Sequence, residues 1–167
     1  MPAMNAWLLD FGNDCMAAVG TRELLHLVDA PVTFAVPYTP VYCRRVVSWQ
    51  ERLLPVMDIA TRLGALPRSA PFLAVVGYQQ QRGEHPQFGA LKLACPPRQL
   101  AVDNSQACAL PEQNGAWREL AISCFEHQGS PVPVLDLRRI FGNAPRAQCQ
   151  IETGAAPSAH DTANEES

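Results

Sequence analysis

The chain has 167 residues, of which 47% are apolar and 17% charged, and carries a net charge of −3. That balance excludes a disordered chain and fits one domain, or two small subdomains sharing a core. The basic residues are scattered, with short pairs only at Arg44-Arg45 and Arg138-Arg139, which argues against a dedicated nucleic-acid binder.

In chain order, "AWLLDF" (6–11), the turn "GND" and "CMAAVG" predict a hairpin. "RELLHLVD" (22–29) suits a strand or a short helix equally, with Leu25 and Leu27 on one face and Leu24 and Val28 on the other. "APVTFAVPYTPVY" carries Pro31, Pro37 and Pro40, which remove backbone donors, so an extended connection is expected rather than a central strand. "CRRVVSW" and "RLLPVMD" flank Gln50-Glu51 as a second hairpin, and "IATRLG" is a short helix stopped at Gly64. "ALPRSAP" (65–71) is a linker.

The second half opens on the dense apolar strand "FLAVVGY" (72–78), a polar loop and a further strand, "FGALKLA" (88–94). "RQLAVD" (98–103) and "ACAL" (107–110) follow, then a loop around "PEQNGA". "RELAISCFEH" (118–127) is expected as a strand with Leu120, Ile122 and Cys124 on one face. "PVPVLDL" is the last strand, and "RRIFG" a short helix. Residues 143–167 have few large apolar side chains and are expected to be a mobile, mildly acidic tail.

One phrase occurs twice: "RLLPVMDIATRLG" at 52–64 and "SPVPVLDLRRIFG" at 130–142, offset by 78 residues. A weaker echo relates "CMAAVGTRELLHL" (15–27) to "RQLAVDNSQACAL" (98–110). Copies of about 60 residues are marginal alone. Two related β-subdomains, about 6–64 and 72–142, are therefore expected to pack together as curled, mainly antiparallel sheets that close into barrels. Val56 and Val134 should point inward, Pro55 and Pro133 should sit where no ladder donor is needed, and Asp58 and Asp136 should cap the helices that follow. Repeat symmetry explains the two acids without invoking a catalytic carboxylate pair.

The six cysteines (Cys15, Cys43, Cys95, Cys108, Cys124 and Cys149) form no C-x-x-C pair, so free thiols are expected rather than a disulfide framework. Cys124 and His127 in "CFEH" lack a matching second pair, and neither a metal nor a cofactor is expected. No catalytic motif stands out. No apolar run approaches the roughly 20 residues of a membrane-spanning helix, and no basic N-terminal region leads into a long apolar run. A cytoplasmic location is the expectation.

Over about residues 6–142 the chain resembles the CheW-like domain of bacterial chemotaxis coupling proteins. Three parts carry the resemblance: "WLLDFGNDCMAAVGTRELLHLV", "TPVYCRRVVSWQERLLPVMDIATRLG", and "QLAVDNSQACAL" with "PVPVLDLRRIFG". The resemblance implies two five-stranded SH3-like β-barrels around a shared core within a domain spanning 1–142. It also implies a non-catalytic adaptor for chemotaxis-like or pilus-motility signalling. Its implied partners are the regulatory domain of a CheA-type histidine kinase, a chemoreceptor cytoplasmic tip, or another CheW-like domain.

By position, the resemblance places Leu24 and His26 on the strand bordering a partner groove, and Ser48, Trp49, Gln50 and Glu51 in a partner-contacting turn. That turn usually reads Asn-Leu-Arg-Gly in the family. Here Gln50 replaces the arginine and Arg45 stands at another usual glycine, so a different turn geometry and different partner chemistry are implied. Trp49 is either a core or cap aromatic or an exposed interface anchor. The alternative function is a binding module that has lost kinase coupling and senses a ligand or caps an assembly.

Overall fold

In the computed structural model, which describes residues 2–112 and 115–142, the first hairpin forms where the pattern predicts it. Strands β1 (Met4–Asp10) and β2 (Met16–Gly20) pair antiparallel. Gly12, Asn13 and Asp14 between them all take positive φ, and the Gly12 N–H donates to Asp10 Oδ1 at 2.9 Å. Gly, Asn and Asp reach this region at the least cost, which is why "GND" makes a tight turn.

The remaining strands are β3 (Leu24–Asp29), β4 (Thr33–Ala35), β5 (Arg45–Trp49), β6 (Arg52–Met57), β7 (Phe72–Tyr78), β8 (Gln87–Leu93), β9 (Arg98–Val102), β10 (Ala121–His127) and β11 (Ser130–Leu135). Among the described residues three short α-helices accompany them: α1 (Ile59–Arg62), α2 (Trp117–Leu120) and, after the last strand, α3 (Leu137–Gly142). Among the described residues the strands form two sheets, ordered β10-β11-β2-β1-β9 and β3-β7-β8-β6-β5-β4. The chain is mainly β.

The repeated phrase acquires a structural meaning in the strand order. Each copy ends in a strand that pairs in parallel with a hairpin from the other half of the chain. Val56 of β6 lies opposite Ala90 of β8, and Val134 of β11 lies opposite Ala18 of β2. Each sheet therefore mixes strands from both sides of the 65–71 segment, which separates the two copies along the chain but not the two sheets. Arg62 Nη1 donates to the carbonyl of Ile140 at 3.5 Å, a contact between positions 78 residues apart. Equivalent positions of the two phrases thus meet.

Both sheets curl, but the expected barrel closure is not completed by a strand ladder. The six-stranded sheet, laid flat at about 4.8 Å per strand, would hold its edges roughly 24 Å apart. Its edge strands β3 and β4 are joined by Ala30–Val32 alone, which spans at most about 14 Å from Asp29 to Thr33. Curling is the only solution. In the five-stranded sheet the segment after β9 reaches the far edge, where Ala107 and Phe125 make an isolated antiparallel bridge.

Burial follows from the curl. Leu8, Ala18, Phe125 and Val132 fill the inside of the first sheet, and Val47, Leu54, Val56, Leu73, Val75 and Ala90 fill the second. Alternate residues of the same strands (Leu9, Ala17, Val76 and Leu91) join Met57, Ile59, Leu137 and Ile140 in a core shared between the sheets. The paired hairpin strands are thus buried on both faces, which is why "FLAVVGY" is apolar without alternation.

Several expectations change. The proline-rich segment 30–42 is no central strand, as expected, but it carries the short edge strand β4 and runs into a 3₁₀ turn at Val41–Cys43. The 22–29 segment is a strand, but a register shift between Leu24 and His26 breaks its alternation. Leu24 and Leu27 consequently pack on the shared core while Leu25 is exposed. A second shift, between Ala121 and Ser123, leaves Ile122 exposed although Leu120 and Cys124 are buried. The expected common face of those three residues does not exist, and Leu120 belongs to a helical turn, α2.

The junction aspartates act as expected. Asp58 Oδ1 accepts from Thr61 N at 3.0 Å and Asp136 Oδ1 from Arg139 N at 3.4 Å. Gly64, at φ 102°, ends α1. The described cysteines are free. Cys149 and the 143–167 tail lie outside the described residues, and no helix among those described is long and apolar enough to cross a membrane.

Candidate protein-docking groove

An open groove of about 800 Å³ runs between the β3 edge of one sheet and the β10–β11–α3 side of the other. Its apolar lining includes Leu25, Phe88 and Ile122; Leu25 is 45% and Ile122 60% exposed. Leu25 reaches the groove because the β3 register shift turns it away from the core. Gly77 leaves room for it: a Cβ there would stand 2.9 Å from Leu25 Cδ1. Ile122 is exposed for the same reason, beside the shift in β10.

Charges surround this apolar floor. Arg22, Arg82 and Arg138 line the groove together with Glu23 and Asp136. Asp136 is buried and paired with Arg139 Nε at 3.3 Å and Arg138 Nε at 3.8 Å. Glu23 Oε2 accepts from Gly20 N at 2.7 Å. Burial pushes the Glu23 carboxyl above its ordinary range; the Gly20 N–H opposes this, Asp136 adds to it and Arg138 opposes it.

The turn at the tip of the β5–β6 hairpin adjoins one end of the groove through Phe88. The Trp49 ring lies 5.5 Å from the Phe88 ring at 54°, and the Arg52 guanidinium stacks 4.9 Å from the Phe88 centroid. Trp49 is half-buried against the interior of the second sheet. Gln50 and Glu51 are exposed and both take positive φ, 46° and 61°, so the absence of glycine does not keep this turn out of the left-handed region. Side chains rather than glycines bear that strain.

Of the residues singled out in the sequence, the structure gathers Ser48, Trp49, Gln50 and Glu51 at one hairpin tip. Leu24 is half-buried on the shared core, and His26 is exposed on β3. Neither lines the groove. Leu25, Phe88, Ile122 and Arg138 do, and only the two register shifts, invisible in a period-2 pattern, would have revealed the first and third.

Thiol chemistry is suppressed at several sites. Burial first, then the Asp10 and Asp58 carboxylates, push the Cys15 thiol up to about 12, and burial raises Cys43 despite the nearby Arg62. Thiols so shifted stay protonated and weakly nucleophilic. Among the described residues no three His, Cys, Asp or Glu side chains cluster as metal ligands.

No family model and no curated protein matches the chain. Among solved structures it is similar to the scaffolding protein TtCheW from Thermoanaerobacter tengcongensis, with a TM-score of 0.66, 13% identity, and coverage of 84% of this chain and 93% of that one. The chain has the CheW-like fold.

Proposed function

We propose that this protein is a non-catalytic adaptor of chemotaxis-like or pilus-motility signalling. It links the regulatory domain of a CheA-type histidine kinase with a chemoreceptor tip or another CheW-like domain. The observation that supports this is the fold likeness to a scaffolding protein over 84% of the chain. In this reading the domain spans 1–142 and works in the cytoplasm, and the rims of its two curled sheets are the contact surfaces. Leu25, Phe88 and Ile122 supply an apolar centre, and the surrounding arginines select partners with acidic flanks. The hairpin tip at Ser48, Trp49, Gln50 and Glu51 is a second contact region, and Leu24 and His26 hold the β3 strand that borders the groove.

A second reading has one observation in its favour. The hairpin tip presents a neutral Gln50 beside an acidic Glu51, chemistry unsuited to pairing with a carboxylate. A CheW-like module without kinase coupling, sensing a ligand or capping an assembly, would tolerate that change. Calorimetric titration of the protein with the regulatory domain of a CheA-type histidine kinase from the same organism separates the two readings. Under the adaptor reading it binds, and Leu25→Glu and Ile122→Glu each weaken binding at least tenfold, about 1.4 kcal/mol, without altering the fold. Absence of binding by the unmodified protein would refute the adaptor reading and favour the second.

A further inference from the structure

Cys108 and Cys124 face each other where the two edges of the first sheet meet. Their sulfurs are 3.3 Å apart, and the Cys108 N–H donates to the Cys124 carbonyl at 3.1 Å. The adjoining Ala107–Phe125 bridge and a bond from Gln106 Nε2 to the Glu126 carbonyl at 3.2 Å hold the same seam in register. Opposed positions on bridged strands bring the Cβ atoms near the separation a disulfide needs, so small side-chain rotations suffice to bring the sulfurs to bonding distance.

We propose that Cys108 and Cys124 form a thiol–disulfide site that a low-molecular-weight disulfide oxidises, covalently closing the seam that the strand ladder leaves open. The order of attack follows from accessibility. Cys108 is half-exposed, whereas Cys124 is only 6% exposed and burial holds its thiol well above the ordinary range, with Cys108 adding to the effect. The Cys108 thiolate attacks one sulfur of the disulfide RSSR, forming a mixed disulfide and releasing RS⁻. In the mixed disulfide Cys108 no longer helps to hold the Cys124 proton, so Cys124, 3.3 Å away, loses that proton to solvent and its small thiolate fraction attacks the Cys108 sulfur, displacing a second RS⁻. Both thiolates take up the protons lost by the cysteines, so two protein thiols and RSSR become one protein disulfide and two RSH.

The sequence supplies its own assay. Arg98, Arg118 and Arg138 make trypsin separate Cys108, in residues 99–118, from Cys124, in residues 119–138. After treatment of the folded protein with oxidised glutathione and blocking of free thiols, these two peptides should appear linked, and dithiothreitol should release them. The oxidised form should melt higher than the reduced form by on the order of 5–10 °C. Cys108→Ser should abolish both the linked pair and the redox-dependent shift, while Cys95→Ser leaves them intact. A glutathione adduct at exposed Cys95 or at Cys108 with no linked pair in the unmodified protein would overturn the proposal, without bearing on partner binding.

Discussion

Gly89→Ala tests the shared core at its tightest point. A Cβ at Gly89 would stand 2.3, 2.4 and 2.7 Å from three ring carbons of Phe141. Ordinary carbon contacts are about 3.5–4.0 Å, so the ring must retreat by more than about 1 Å. It has little room: Phe141 is 5% exposed, stacks on Tyr78 at 5.7 Å and 13°, and carries α3 into the shared core. Overpacking of this kind costs roughly 1–3 kcal/mol, offset by about 0.5–1 kcal/mol from the reduced freedom of the unfolded chain. A net loss of about 1–2 kcal/mol is expected, lowering Tm by about 3–6 °C. Urea unfolding should show a lower midpoint with an unchanged slope. In a Phe141→Leu background the ring is gone and Gly89→Ala should cost little, giving a coupling of about 1–2 kcal/mol. Strict additivity of the two substitutions would refute this account of the contact.

Other expected outcomes concern the caps, the groove and the hairpin. Asp58→Ala and Asp136→Ala should each lower stability by about 1–2 kcal/mol; a loss confined to one would contradict the equivalence of the two junctions, and urea midpoints decide it. Glu23 binds its proton more tightly folded than unfolded, so its contribution to stability falls as pH rises above its ordinary value of 4.5. Glu23→Gln should therefore gain on the unmodified protein as pH rises above the ordinary carboxyl value of 4.5, and parallel curves for the two proteins would count against the burial argument. Trp49→Ala should cost about 2 kcal/mol, less than a fully buried aromatic, because the ring leaves the mouth of the second sheet. Unchanged stability with lost partner binding would make Trp49 an interface anchor instead.

Local chemistry made much of this protein legible in advance. Two-residue and glycine turns marked the hairpins, dense apolar runs marked β7 and β8, and the doubled Pro-Val-x-Asp phrase marked two junctions whose aspartates cap α1 and α3. Each of these depends on interactions within a few residues. The groove was different. Leu25 and Ile122 are exposed only because β3 and β10 each shift register, and a shift is settled by the partner strand rather than by the strand's own pattern. The pairing of each repeat's last strand with the other half's hairpin, and the approach of Cys108 to Cys124 across the seam, likewise depend on how the sheets curl. Sequence alone determined that two similar units end alike; tertiary structure decided what they exchange and which side chains their edges leave exposed, because burying apolar surface on both faces of the shared hairpins requires both halves at once.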